Sequence, residues 1–218
     1  MTKAIDQRYF IYPEHGATNV RISGTKMAVI LGPDAGESTN YGSAPYNSIS
    51  GHMGKLNEKD YTYVGSGTKG LWVAGHLLND NLGGSGTDAK NLTPLTQTAN
   101  KQHSAYEQKI KSAITCCRQL RDNYPKVPFF VGIHYEVFVS AATFGDDKPY
   151  NKAPSHISIR TTLVKADKKT LDITFLTIPD WPPIPSNIAR SLKAAVFSAD
   201  IHNHDLHLTG CVNPDCEH

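Results

Sequence analysis

Residues 74–100 read AGHLLNDNLGGSGTDAKNLTPLTQTAN. A histidine stands near one end of this stretch, an asparagine at the other, and a glycine-rich bend between them. Upstream, Leu71 to Ala74 reads as a short strand that delivers His76 at its end. Gly83 to Gly86 turns the chain. Leu92 to Leu95 reads as a second short extended piece, entered through Asn91. A long helix follows, because Tyr106, Ile110, Ala113, Ile114, Cys117 and Leu120 recur at helical spacing. Ser104 and Glu107 fit a capping box, which puts Asn100 at or just before the helix start. Strand, strand and helix thus aim His76, Asn91 and Asn100 at one place.

The rest of the chain reads as an α+β domain with an antiparallel sheet and a C-terminal helix. Residues 19 to 31 hold two apolar runs split by Gly24, a candidate hairpin. Residues 33 to 60 are rich in Gly, Ser, Asn and Pro and read as a long irregular excursion. Tyr61 to Val64 and Leu71 to Ala74 read as strands around a glycine turn. Val127 to Ser140 alternates cleanly, with Phe129, Val131, Ile133, Tyr135, Val137 and Val139 on one face. Ser155 to Val164 and Leu171 to Ile178 read as two more strands. Ser186 or Asn187 caps a helix running to about Phe197. The expected organisation is one domain over 1–200, with the strand–strand–helix unit at about 70–122, and a His/Cys-rich tail over 201–218.

Of the 218 residues, 39% are hydrophobic and 19% charged, ordinary for a globular protein. No apolar run approaches the roughly 18 residues of a membrane span, so no membrane partner is expected. MTKAIDQRYF lacks a signal core, which implies synthesis in the cytoplasm and leaves a specialised secretion system as the export route. Net charge is only +2, which excludes a chain that is polybasic throughout. Between Lys55 and Lys126, however, ten Lys or Arg face six Asp or Glu. That surplus suits a polyanionic partner or a solvated face. Cys116 and Cys117 are adjacent within a helix and poorly placed to bridge.

The residues of the opening stretch suit phosphodiester hydrolysis. The attacking water must lose a proton, and an imidazole with an ordinary pKa of ~6.5 accepts one near neutral pH. Charge on phosphorus oxygens calls for a cation. Mg²⁺ keeps several waters and needs few protein ligands, so one asparagine carbonyl can hold it.

Gly75-His76, Leu82-Gly83-Gly84-x-Gly86, Asn91-Leu92-Thr93-Pro94-Leu95 and Asn100 together resemble the DNA/RNA non-specific endonucleases. Those enzymes belong to the ββα-metal (His-Me finger) superfamily, and the likeness is to versions found in bacterial toxins and effectors. It covers about residues 70 to 112. The resemblance implies that His76 is the general base and that Asn100 holds Mg²⁺ or Mn²⁺. It implies that Asn91 shapes the site or touches substrate. It also implies DNA or RNA as substrate and a cognate immunity protein as partner. Two positions depart from the family. An arginine usually precedes the Gly-His pair, whereas Ala74 stands here, so Lys69, Lys90 or Arg160 would take over the phosphate contact. The acid eight residues after the metal asparagine is replaced by Gln108, with Glu107 one position earlier as the candidate to order water at the metal.

Each residue also has a purely structural explanation. His76 can be a hydrogen-bonded strand end, and Asn91 and Asn100 can serve turns and caps. His103 reads as an exposed helix residue. His134 with Glu136, and His156 with Ser158 and Arg160, read as solvated sheet faces. The stripe Ile110, Ile114, Cys117 reads as core. In the tail, Cys211-x4-Cys216-x-His218 with an upstream histidine offers Zn²⁺ ligands, and a disordered or disulfide-closed terminus fits equally. The alternative to a nuclease is a non-catalytic module that binds nucleic acid or protein, stabilised by zinc at the tail.

Overall fold

The computed structural model describes residues 9–11, 23–35, 43–44, 49–64, 67–170, 172–176 and 184–203. In chain order the strands are Tyr9–Ile11 (β1), Lys26–Leu31 (β2), Tyr61–Val64 (β3), Gly67–Gly70 (β4), Trp72–His76 (β5) and Leu92–Thr96 (β6). Phe129–Val139 (β7), His156–Asp167 (β8), Ile173–Phe175 (β9) and Ser198–His202 (β10) complete them. The helices are Ser50–Lys59 (α1), Gln97–Asn123 (α2) and Ser186–Ala194 (α3). The architecture is α+β, and every strand pairing among the described residues is antiparallel.

The main sheet runs β1-β2-β7-β8-β10, with β9 also paired to β8. Its alternation decides what each face does. Val131, Ile133, Tyr135, Val137 and Val139 of β7 join Ile157, Ile159 and Leu163 of β8 in one core with Ile110, Ala113, Ile114, Cys117 and Leu120 of α2. The intervening residues, including Glu136, Phe138, Ser158 and Arg160, therefore fall on the face turned away from α2.

β5 and β6 form a separate ribbon in which His76 faces Leu92 and Gly75 faces Thr93. The chain passes from β6 straight into α2. Thr96 is the N-cap, its hydroxyl accepting the Ala99 N–H at 3.2 Å. The capping box expected at Ser104, with Asn100 at or just before the helix start, is thus displaced. Thr96 offers a capping oxygen two turns earlier, and the apolar stripe extends back to Ala99. Asn100 lies inside the first turn, and Ser104 and Glu107 are interior.

Three other expectations change. Residues 50–59 are helical rather than irregular. Their glycines disfavour a helix, but Met53 and Leu56 bury against Leu71 and Trp72 in a second cluster, and packing outweighs propensity. β3 pairs with β4, not with the strand at 72–76, whose partner is β6. Lys26–Leu31 is a strand, but its partners are β1 and β7, and residues 12–22 on the other side of Gly24 lie outside the described residues. Among the described residues no helix is long and apolar enough to cross a membrane. The expected boundary at 200/201 falls inside β10, and residues 204–218 lie outside the described residues.

Candidate functional site

His76 ends β5 half-buried, with Nε2 3.0 Å from the carbonyl oxygen of Ser43. A carbonyl can only accept, so the neutral ring carries its proton on Nε2 and keeps a lone pair on Nδ1. Ser43 is placed by the glycine turn. Its hydroxyl accepts the Gly86 N–H at 2.8 Å, and its own N–H reaches Gly84 O at 3.2 Å. A Cβ on Gly86 would lie 2.0 Å from Ala44 O, so only glycine lets this segment dock.

Asn100 comes close to the same strand end. Its Oδ1 lies 3.2 Å from where a Cβ on Gly75 would sit. The Asn100 side chain makes no hydrogen bond among the described residues. The residue preceding His76 and the asparagine of the first helical turn are thus in contact range because β6 hands directly to α2.

Asn91 is 1% exposed and wholly occupied by backbone. Its Oδ1 accepts Leu78 N–H at 2.9 Å, and its Nδ2 donates to Leu78 O at 2.9 Å and Ser85 O at 3.0 Å. That position shapes the loop after His76 and leaves no surface for substrate, so of the two roles expected for Asn91 only the first fits.

Glu107 faces inward. Its Oε2 accepts from Asn79 Nδ2 at 3.0 Å, while buried Oε1 has no hydrogen-bond partner. Burial pushes its carboxyl up to about 8, against smaller opposing effects of Lys111 and Asn79. His103, expected on the surface, is 2% exposed. Its spacing from Ala99 and Glu107 puts it on the buried stripe of α2. Burial, with a smaller contribution from nearby His76, lowers its ring to about 4. The 3.9 Å approach of His103 Nε2 to Glu107 Oε1 therefore joins two neutral groups near neutral pH. His103 Nε2 is also 2.7 Å from the Tyr135 hydroxyl, which donates to Leu77 O at 3.4 Å. Leu77, Leu78 and Asn79, the three residues after His76, are each held by a polar side chain from another element.

No family model matches the chain, and no curated protein matches it.

The cationic candidates separate. Lys90 is exposed in the turn leading to Asn91 and β6. Lys69 is exposed on β4, near the start of α2, where Gln97 Nε2 bonds Gly70 O at 2.6 Å. Arg160 is exposed on the sheet face away from α2, so the sheet stands between it and Asn100, and it cannot supply the phosphate contact expected of it. The residues that sequence reading missed are Ser43, Asn79 and Tyr135. Only Tyr135 carried a signal, since a hydroxyl on the core face of a strand needs a buried partner.

Proposed function

We propose that the chain is a divalent-metal-dependent nuclease that hydrolyses phosphodiester bonds of DNA, RNA or both with little sequence preference. The observation that carries this reading is Asn100 Oδ1 against Gly75, the residue directly before a histidine whose Nδ1 is left as the acceptor. The order β5, β6, α2 supports a ββα-metal unit around these two side chains.

In this mechanism His76 Nδ1 takes the proton of the attacking water. A new oxygen–phosphorus bond forms, the bond to the leaving oxygen breaks, and that oxygen takes a proton from solvent. Ser43 O holds the ring in the required tautomer and orientation. Asn91, Tyr135 and Asn79 fix the loop behind the ring, so the lone pair keeps its direction. Asn100 Oδ1, a neutral oxygen with no other partner among the described residues, fits a hard cation that retains waters, Mg²⁺ or Mn²⁺. Such an ion supplies positive charge against the phosphoryl oxygens. Glu107 is a neutral acid behind the site rather than a charged ligand. An antagonistic bacterial toxin with a cognate immunity protein, exported by a specialised system, belongs to the same reading through the motif of residues 75–100.

Nicking of supercoiled plasmid and cleavage of a structured RNA test the reading. Cutting is expected with Mg²⁺ or Mn²⁺, lost with EDTA and lost in both His76→Ala and Asn100→Ala. Undiminished cutting in either variant refutes the assignment. The absence of arginine at Ala74 and the distance of Arg160 favour a second reading, a module that binds nucleic acid without cutting it. Retained binding with no cleavage under any divalent ion would select it.

A further inference from the structure

A set of basic side chains converges on the second hydrophobic cluster, beside β5. Met53 and Leu56 seat α1 against Leu71 and Trp72, and Ile49, Leu92 and Ala153 complete that cluster. Its packing fixes what stands around it. His52 and Lys55 are three residues apart on α1 and so are neighbours on its surface. Lys152 arrives from the short helical turn Tyr150–Lys152, far along the chain. Two contacts hold that turn in place. The Tyr150 hydroxyl donates to Asp60 Oδ1 at 3.0 Å, and Ala153 is buried in the cluster.

Both ammonium groups come close to the His52 ring. Burial lowers the proton affinity of that ring, and Lys152 and then Lys55 lower it further. His52 Nε2 is enclosed and has no hydrogen-bond partner, so the ring belongs to the packing and the charge belongs to the two lysines. Lys55 and Lys152 are exposed, and neither makes an ion pair among the described residues. The carboxylates of α1 and its cap do not offset them. Asp60 is buried and also accepts from Trp72 Nε1 at 2.7 Å, and Glu58 pairs with neither lysine. Two like charges gathered by tertiary packing, with no counter-charge, favour a polyanion.

Their position says which part of a polyanion they meet. Ala74 of β5 packs against the same cluster, and so does Ala89, the neighbour of exposed Lys90. β5 itself contains no lysine or arginine. At about 3.3 Å per residue, Ala74 and His76 are roughly 7 Å apart along the strand, about two steps of a nucleic-acid strand at ~3.4 Å each. The lysines therefore stand within a few nucleotides of His76.

We propose that Lys55 and Lys152 form a clamp for the nucleic-acid backbone, holding phosphates that flank the bond cut at His76. The inference rests on the nucleic-acid reading above and names the residues that grip the substrate. An ammonium acts on phosphate as a point charge, so the clamp positions a strand without reading its bases.

Fluorescence anisotropy of the full chain with a labelled DNA duplex and a labelled RNA hairpin, in EDTA and over a range of salt, tests the clamp. Lys55→Ala and Lys152→Ala should each lower the slope of log affinity against log salt by about one, and the double variant by about two. Lys55→Arg keeps the charge and should keep the slope. Lys193→Ala, at an exposed lysine on α3, should leave it unchanged. Far-UV circular dichroism checks that each variant folds. Unchanged slopes in the folded Lys55→Ala and Lys152→Ala variants overturn the proposal. So does a drop of equal size in Lys193→Ala, or a wild type that binds neither probe. Plasmid nicking with Mg²⁺ is read separately. Where cutting occurs, the two alanine variants should raise KM more than they lower kcat, because the contact is made equally before and during the reaction. A fall in kcat with KM unchanged overturns the clamp. Binding that depends on both lysines, with no cutting under any divalent ion, leaves the clamp standing and removes the nuclease. Cutting with unchanged slopes does the reverse.

Discussion

Replacing Glu107 with glutamine should make the protein more resistant to alkaline pH. The carboxyl is 3% exposed, and burial raises it to about 8 from an ordinary 4.5. The native state therefore keeps a proton that the unfolded chain releases between those values. By linkage, stability is highest below about pH 4.5 and is lost as pH rises towards 8, at up to about 1.4 kcal/mol per unit. His103 works in the opposite sense. Its ring is lowered to about 4, so stability rises with pH from there to its ordinary 6.5 and is level above. The window from pH 6.5 to 8.5 isolates Glu107, and across it the carboxyl should cost about 2 kcal/mol. Glu107→Gln removes the titration while keeping an oxygen for Asn79 Nδ2. Urea unfolding of both proteins at four pH values across the window, with the His103 contribution common to both, measures the difference directly. The variant should gain about 2 kcal/mol on wild type between the two ends. A difference that stays level with pH would show that the carboxyl is not held neutral.

Three further outcomes are expected. Asn91→Ala removes three hydrogen bonds to Leu78 and Ser85 and should cost about 2–4 kcal/mol in urea unfolding. Gly75→Ala puts a methyl group 2.5 Å from Leu95 Cδ1 and 3.2 Å from Asn100 Oδ1, so metal-dependent cutting should fall more steeply than stability. Nucleic-acid affinity measured by fluorescence anisotropy over a range of salt should be unchanged in Arg160→Ala. In Lys90→Ala the slope of log affinity against log salt should drop by about one.

Much of the fold was legible because its signals are local. The period-two run from Phe129 to Val139 and the helical stripe from Ile110 to Leu120 need only near neighbours to be read. The placement of His76 at a strand end and of Asn100 beside the helix start followed from the same patterns. The helix start itself was misplaced, because two oxygens, Thr96 and Ser104, compete as caps and only packing of Ala99 and His103 decides between them. α1 was missed for a similar reason. Its glycines suppress the local signal, and Met53 and Leu56 form a helix only against Leu71 and Trp72.

By itself the sequence determined the alternation, the helical stripe and the order of histidine, glycine turn and two asparagines, since each depends on chemistry within a few residues. Tertiary structure alone decided that Ser43 orients His76, that Asn91 is enclosed by backbone, that Arg160 lies behind the sheet and that His156 meets His202. Three of these are contacts between residues 33, 13 and 46 positions apart, and the fourth is a separation by a whole sheet layer. No local propensity encodes such distances. They arise when burial of the shared core brings the segments together, and only then do the polar atoms find their partners.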